Sequence, residues 1–227
     1  MKKGFYYVDE EYISYIKNAE IKSRGFTTVP NTQYANRKKF FYGIVLEVNG
    51  IPYYVPITHN IVAKEHAIVI HVEDHHKTVK TGSMRFNYMI PVPKQCVEML
   101  NLKDPEKYSE HDRIRIEREY KFCKSNLSRI QKKAIKAYND VLSGKDANLL
   151  KNSCDFANLE KAYLQFNQSH FSIITNPSRS LSAIDQPEAS PTDPALLLSP
   201  SDKLHVPAIQ NLPQKSHKEN NPSKDET

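Results

Sequence analysis

The chain has no tryptophan, three cysteines and six glycines among its 227 residues. Cys96, Cys123 and Cys154 lie 27 and 31 residues apart and form no Cys-x-x-Cys pair, which argues against a disulfide framework and a zinc ribbon. The glycines form no P-loop, no Gly-x-Gly-x-x-Gly and no serine nucleophile elbow. We therefore expect reduced thiols in the core, and the sequence gives no sign of a nucleotide cofactor or of any other.

Long hydrophobic runs are absent as well. No stretch of 18 apolar residues occurs, so the sequence predicts no membrane-spanning helix. Asp9, Glu10 and Glu11 interrupt the N-terminal apolar run before it reaches the length of a signal-peptide core. These features predict a cytoplasmic protein with no membrane partner.

Aromatic residues are missing from the last quarter of the chain. All 22 Phe and Tyr lie at or before Phe171, whereas residues 172–227 contain 8 of the 14 prolines and no glycine. Such a composition buries too little apolar surface to offset chain entropy. We predict one domain over residues 1–167 and a disordered tail over residues 168–227. The domain is the basic part, because 27 basic and 19 acidic residues precede residue 172, a net charge of +8.

The clearest local pattern is a β-hairpin. Residues 40–48 and 51–57 are rich in aromatic and β-branched side chains, and Asn49-Gly50 between them suits a tight turn with positive φ angles. Residues 67–72 and 86–92 are interpreted as further strands. The strands precede most of the helices along the chain, which predicts an α+β fold.

Helical periodicity occurs in four places. Asp9 is suited to cap a helix that contains Tyr12, Ile13 and Ile16, and residues 94–102 resemble a short helix. Apolar or small residues recur every three or four positions over residues 109–142, which predicts one long helix with a capping box at Ser109 and a stop at Gly144. A last helix follows Asp155. The region of residues 18–37 is predicted to be a long loop containing Tyr34.

Five histidines raise the question of a metal site. They are His59, His66, His71, His75 and His76. His71 and His75 have helical metal-pair spacing, but His71 lies in a strand-like run, where residues four apart are too distant to share an ion. The sequence therefore argues against a metal site.

A cationic, hydroxyl-bearing cluster is the main candidate site. The strands of the hairpin pair through Asn49-Gly50, so residues before the first strand lie beside residues after the second. The first group is Tyr34, Arg37, Lys38 and Lys39, and the second is Thr58, His59, Asn60, Lys64 and His66. Such groups suit metal-free RNA cleavage, in which a base activates a 2′-OH, a cation stabilises the phosphate and an acid protonates the leaving oxygen.

The long predicted helix carries many basic residues, including Lys121 and Lys124. A charge run of this kind forms either a solvated face or a contact with nucleic acid.

Four segments follow the order and spacing of a known family. They are residues 39–47 with Asn49-Gly50, residues 54–58, residues 87–93 and residues 154–166. Through them the chain resembles the ToxN/AbiQ endoribonuclease toxins of type III toxin-antitoxin systems over residues 5–166. The C-terminal tail is outside the resemblance.

The resemblance implies a compact, strongly twisted antiparallel sheet flanked by helices and a metal-independent RNase. Attack by the 2′-OH would leave a 2′,3′-cyclic phosphate on cellular or phage RNA. The resemblance also implies inhibition by a small repeated antitoxin RNA that folds as a pseudoknot and assembles with the toxin into a closed complex.

The resemblance assigns residues as well. Thr58 matches the threonine of the family's Pro-Leu-Thr-Ser-Pro-Lys segment, and Lys38 or Lys39 matches its basic residue before the first long strand. His59 and Asn60 replace the serine and proline, and the lysine and histidine are displaced to Lys64 and His66. The predicted catalytic residues are Thr58, His59, Lys64 and Lys39, and the predicted RNA contacts are Tyr34, Arg37, Lys38, Asn60, His66, Lys121 and Lys124.

Two alternatives remain open at this point. A non-catalytic RNA-binding protein would use the same basic surface, with the altered residues 58–60 marking a lost active site. A metal-dependent nuclease would differ from the metal-free enzyme by its sensitivity to EDTA.

Overall fold

The computed structural model describes residues 3–34, 37–104 and 107–175. Its strands are β1 Gly4–Val8, β2 Gln33–Tyr34, β3 Arg37–Lys38, β4 Phe41–Val48, β5 Ile51–Thr58, β6 Ala67–Asp74, β7 Lys77–Arg85, β8 Ile90–Pro91 and β9 Val97–Met99. Its α-helices are α1 Glu10–Arg24, α2 Glu110–Ser125, α3 Leu127–Ser143, α4 Ala147–Lys151 and α5 Phe156–Thr175. Short 3-10 helices cover Phe86–Tyr88 and Lys94–Cys96.

The main sheet has seven antiparallel strands. Its order is β6-β7-β5-β4-β1-β9, and β8 also pairs with β5. α1 packs on α5, and α3 packs on β4. The predicted α+β fold, with an antiparallel sheet and flanking helices, is confirmed. Among the described residues, no helix is long and apolar enough to cross a membrane.

The core is unusually rich in tyrosine. Tyr12, Tyr53 and Tyr54 are fully buried. A buried hydroxyl needs a hydrogen-bond partner, and Tyr12 Oη donates to the carbonyl of Pro91 at 2.7 Å. Tyr53 Oη donates to the carboxylate of Glu160 at 2.7 Å. The three cysteines are also buried and free, as predicted.

The β4–β5 hairpin has the predicted turn. Asn49 has φ 50° and Gly50 has φ 78°, and Val48 pairs with Ile51 across them. These positive φ values are those that an Asn-Gly turn supplies at low cost. The hairpin occupies the middle of the sheet, where β7 pairs with β5 and β1 pairs with β4.

Several predicted boundaries were wrong. α1 continues to Arg24, because the first left-handed cap is Gly25, at φ 79°, so the loop is shorter than predicted. β7 was missed, since its first half is exposed and polar. Residues 86–92 form a 3-10 turn and the two-residue β8 instead of one strand. Residues 94–102 contain β9, which gains its hydrogen bonds by pairing with β1.

The long helix predicted over residues 109–142 is two helices. α2 and α3 meet at Asn126, whose φ of −106° interrupts the helix while the apolar periodicity continues across it. The predicted ends are confirmed. The Ser109 side chain accepts from Asp112 N and donates to its carboxylate, and Gly144 ends α3 at φ 67°. α5 follows Asp155 and passes the predicted domain boundary, and residues 176–227 of the predicted tail lie outside the described residues.

Candidate functional site

The hairpin register divides the predicted cluster between two faces. Phe41 pairs with Pro56, and Ile57 N donates to Phe40 O at 3.2 Å. Continuing this register places Lys39 opposite Thr58, and Lys38 opposite His59. Side chains alternate along extended backbone, so the two pairs line different cavities.

Lys39, Thr58 and Asn60 share one cavity of about 320 Å³, which we call the Lys39 cavity. The other residues that line it are Thr28, Pro30, Asn31, Pro56, Ile57, Arg85 and Tyr88. Thr58 Oγ1 accepts from the backbone N–H of Asn60 at 3.3 Å, so its position is tied to the segment after β5. Lys39 N donates to Thr32 O at 2.6 Å, which fixes the backbone on the opposite wall.

The Lys39 cavity is cationic. Partial burial lowers the pKa of Lys39, and the nearby charges of Arg85 and Lys17 lower it further. No residue among those that line this cavity is acidic. A lysine in such a place is suited to bind a phosphate or to exchange a proton.

Arg85 lines this cavity and is a candidate site residue that sequence reasoning missed. Its guanidinium lies over the ring of Tyr88, 4.0 Å from the centroid, which orients its planar fork. Arg85 is the last residue of β7, and Tyr88 is the last residue of the 3-10 turn that follows it. The signal was present, since Arg85 lies two residues before the segment of residues 87–93 that carried part of the family resemblance.

Lys64 and His66 line a neighbouring cavity of about 370 Å³, the His66 cavity. Arg85 and Tyr88 line this cavity as well, so the two cavities adjoin at these side chains. His66 Nε2 is 2.7 Å from Asp140 Oδ2. The hydrogen bonds from Lys136 and His66 lower the pKa of Asp140. Sequence reasoning missed Asp140, because only tertiary packing of α3 brings it to the residues before β6.

Glu65, His66 and Asp140 form the one group in the described part of the chain with metal-ligand spacing. Their donor atoms lie within 4.8 Å of one another. The ammonium of Lys136 is already 2.7 Å from Asp140 Oδ2 and 3.1 Å from Glu65 Oε1. A divalent ion would have to displace this lysine, so the donor set fits an ion-pair network better than a metal site.

His59 lies in a third cavity, the His59 cavity, of about 360 Å³. Its Nε2 forms a hydrogen bond with Arg115 Nη1. Arginine only donates hydrogen bonds, so this contact favours an unprotonated Nε2. Arg115 is held in turn by Asp112 at 3.1 Å and by Glu119 at 3.4 Å. The structure therefore separates His59 from the Lys39 cavity, although Thr58 precedes it directly.

The other predicted contacts are dispersed. Lys38 also lines the His59 cavity and lies 3.6 Å from Glu10. Tyr34 and Arg37 pair with each other in the β2–β3 ladder. Lys121 and Lys124 are exposed on α2, where Lys124 lines a separate, mostly apolar cavity with Tyr42 and Tyr120. The described structure brings neither α2 lysine into the three cavities above.

Two buried contacts fix the walls of the Lys39 cavity. Gly82 on β7 packs so closely that a Cβ there would be 2.5 Å from Thr58 O. The fully buried carboxylate of Glu20 accepts hydrogen bonds from Thr27, Thr28 and Val29 and from Asp155 N. It thereby anchors the loop after α1 that carries Thr28 and Pro30 to the start of α5.

The residues of the Lys39 cavity share one chemical character. A half-buried lysine, an arginine, a threonine hydroxyl and a backbone-linked asparagine line one space without an acidic neighbour. Such a lining suits an anionic group such as a phosphodiester.

Comparison with known families identifies the particular group. A sequence model of the family described as "Toxin ToxN, type III toxin-antitoxin system" matches residues 4–164. The chain belongs to this family, and the resemblance found in the sequence is confirmed.

Named relatives agree with this assignment. The chain is 28% identical over 171 residues to the endoribonuclease ToxN of Bacillus thuringiensis subsp. kurstaki, covering 72% of this chain and 84% of the relative. It is 29% identical over 182 residues to the endoribonuclease AbiQ of Lactococcus lactis subsp. lactis, covering 75% of this chain and 93% of the relative.

Solved structures share the fold. One, of a bacterial type III toxin-antitoxin system with selective toxin inhibition by a non-coding RNA pseudoknot, superposes with a TM-score of 0.62 at 24% identity. The superposition covers 74% of this chain and 99% of the solved chain. Another, of a bacterial antiviral system regulated by a processed non-coding RNA, has a TM-score of 0.59 at 26% identity. That superposition covers 70% of this chain and 96% of the solved chain.

Proposed function

We propose that this protein is an endoribonuclease toxin of a type III toxin-antitoxin system that cleaves RNA without a metal ion. The observation that carries the proposal is the Lys39 cavity, where a lysine of lowered pKa, Arg85 and Thr58 surround one space. Membership of the ToxN family and relatives named endoribonucleases support the same activity. The substrates are cellular or phage RNA in the cytoplasm.

The proposed reaction is an attack by a 2′-OH on the adjacent phosphate. The neutral amine of Lys39 takes the proton from the 2′-OH, and the new bond between the 2′-oxygen and phosphorus forms as the bond to the 5′-oxygen breaks. Lys64, at the adjoining cavity, donates a proton to the leaving 5′-oxygen. The products are a 2′,3′-cyclic phosphate and a 5′-hydroxyl.

Arg85 and Thr58 stabilise the phosphate during this reaction. Arg85 presents a planar fork of donors that matches two phosphate oxygens, and its stacking on Tyr88 limits the reorganisation needed. The Thr58 hydroxyl supplies a further hydrogen bond, and Asn60, fixed to Thr58 through its backbone, contacts the RNA. His59 is reassigned from the reacting phosphate to the wall of the next cavity.

The proposed antitoxin is a small repeated RNA that folds as a pseudoknot. A related structure has a toxin selectively inhibited by such an RNA, and another system is regulated by a processed non-coding RNA. The basic domain provides the charge for this interaction. We propose that toxin and processed RNA repeats assemble into a closed complex.

The decisive experiment is incubation of the purified protein with total cellular RNA in EDTA, followed by analysis of the 3′ ends. We expect discrete fragments that end in cyclic phosphate. Lys39→Met and Thr58→Ala should abolish cleavage while the circular dichroism spectrum stays unchanged. Lys132→Met, which removes an exposed lysine of α3 that lines none of the three cavities, is the matched control and should cleave normally.

Three outcomes would contradict parts of this proposal. Loss of cleavage in EDTA with recovery in Mg²⁺ would indicate a metal-dependent nuclease. Intact RNA that shifts on a native gel would indicate a non-catalytic RNA-binding protein. Full activity in both Lys39→Met and Thr58→Ala would place the active site elsewhere.

A further inference from the structure

The His59 cavity is a formed pocket with no part in the proposed bond cleavage. We propose that it binds one unpaired nucleobase of the RNA, from a nucleotide next to the cleaved phosphodiester. The proposal rests on the proposed function and extends it from the reacting phosphate to recognition of the neighbouring base.

The walls of the His59 cavity suit a flat aromatic ligand. Tyr7, Phe40 and Tyr108 line it, and its volume of about 360 Å³ falls in the range of small-molecule pockets. The hydroxyls of Tyr7 and Tyr108 are hydrogen-bonded at 2.5 Å, so each ring limits the movement of the other. Burial and this hydrogen bond raise the pKa of Tyr108, which keeps the ring neutral. Single-stranded RNA is commonly bound by stacking bases on such aromatic side chains.

The position of the cavity links it to the reacting phosphate. Lys38 and His59 line it, while the next residue in one segment, Lys39, and the preceding residue in the other, Thr58, line the Lys39 cavity. Consecutive Cα atoms are about 3.8 Å apart. The two cavities thus lie on opposite sides of the same two backbone segments, and one RNA strand that passes the open end of the hairpin can reach both.

The polar groups of the cavity are arranged to hold a base beside a charged backbone. Arg115 is fixed by Asp112 and Glu119 and contacts His59, so its donors have a defined direction. Lys38 and Lys107 are exposed cations among the lining residues, and Glu98 offers carboxylate acceptors. This cavity therefore has both donors and acceptors for base edges, unlike the Lys39 cavity, which is lined by no acidic residue.

A fluorescence titration tests the proposal without requiring cleavage. The Lys39→Met protein, which should leave RNA intact, is titrated with a short single-stranded RNA that contains one 2-aminopurine. Stacking in the cavity should quench the fluorescence. In the Lys39→Met protein, the additional substitution Tyr108→Ala should weaken RNA binding about tenfold and remove the quenching of 2-aminopurine. Adding Tyr108→Phe should restore both, because it keeps the ring and loses only the hydroxyl.

Tyr120→Ala is the matched control, because Tyr120 is an exposed tyrosine that lines a different cavity. It should bind and quench as the Lys39→Met protein does. Equal binding and quenching by Tyr108→Ala and Tyr120→Ala would overturn the proposed base pocket.

Kinetics separate this proposal from the proposed function. In the otherwise wild-type protein, Tyr108→Ala should raise KM for RNA about tenfold and leave kcat within about twofold. A wild-type protein that cuts no RNA, but whose quenching depends on Tyr108, would refute the nuclease and retain the base pocket. Normal cleavage with KM unchanged in Tyr108→Ala would refute the base pocket and retain the nuclease.

Discussion

At the scale of single residues, the proposed chemistry depends on the surroundings of Lys39. Burial is the largest cause of its lowered pKa, and the charge of Arg85 is the next. A lysine of ordinary pKa is almost fully protonated at neutral pH and cannot act as a base. Partial burial beside a second cation raises the neutral fraction, while Arg85 keeps the positive charge that the phosphate requires.

The dependence on Arg85 gives a prediction about pH. If the neutral amine is the base, kcat/KM rises with pH through the lowered pKa of Lys39. Arg85→Gln removes a nearby cation, so the pKa of Lys39 should rise and the ascending limb should move to higher pH. A pH–rate profile of each protein on one RNA measures this. Arg118→Gln, whose parent side chain pairs with Asp74 at 2.6 Å, is the control and should leave the limb in place. A limb at the same or lower pH in Arg85→Gln would contradict this role of Lys39.

The grouping of candidate site residues followed from local sequence in part. Lys39, Thr58 and Asn60 flank a hairpin whose turn fixes their pairing, and the structure gathers them in one cavity. His59 lines a different cavity, because side chains alternate along the extended backbone after β5. Arg85, Asp140 and Arg115 were missed, because their contacts join segments that are far apart in the sequence.

At the scale of elements, the site depends on how closely two strands approach. β5 and β7 pair at Ile57 with Met84 and at Thr58 with Ser83, next to a register irregularity between β6 and β7. Gly82 lies at this point, and its missing side chain allows β7 to pass against the carbonyl of Thr58. The Ser83 hydroxyl, which is buried, accepts from Val62 N at 2.8 Å and holds the segment that follows Asn60.

Gly82→Ala should therefore impair cleavage more than its effect on stability explains. The new Cβ would be 2.5 Å from Thr58 O, so the backbone must shift, at a cost of about 1–3 kcal/mol. Gly144→Ala is the matched control. Gly144→Ala should lower the free energy of unfolding by about 1–2 kcal/mol, because an alanine is strained at a φ of 67°. No clash adds to this cost, since nothing lies within 4 Å of the added Cβ. Chemical denaturation measures the free energy of unfolding, and cleavage is measured where both proteins are folded. Equal specific activity in the two variants would contradict the importance of this approach.

At the scale of the whole molecule, the basic charge extends beyond the proposed site. Residues before 172 carry a net charge of +8, and much of it lies on helices that do not line the Lys39 cavity. A positive surface of this extent attracts RNA over long distances and releases counterions when phosphates bind. We therefore expect the proposed antitoxin RNA to contact a larger surface than the proposed substrate does.

The affinity for antitoxin RNA should fall steeply with salt, and the α2 lysines should contribute to the slope. Each phosphate contact that is removed lowers the slope of log K against log salt by about one. Lys121→Gln with Lys124→Gln should lower the slope by about two and leave kcat on a short RNA unchanged. Lys161→Gln on α5 serves as the control for a simple loss of charge. An unchanged slope in the double variant would assign these lysines to a solvated face.

Several elements follow from local physics and were predictable from the sequence. Asn49-Gly50 sets the hairpin, Ser109 with Asp112 starts α2, Gly144 ends α3, and the apolar periodicity defines which helix faces are buried. The family motifs also lie within single segments, so the family could be recognised. These signals need only neighbours within a few residues along the chain.

Other elements and contacts depend on partners that are distant in the sequence, and they form only when the chain is folded. β7 and β9 have weak patterns of their own and become strands through pairing with β6 and β1. The Lys39 cavity needs Arg85 from β7 beside the open end of the hairpin, and the His59 cavity needs α2 packed near β1. Such contacts are stabilised by burial and pairing between segments, energies that do not appear in any local stretch of sequence.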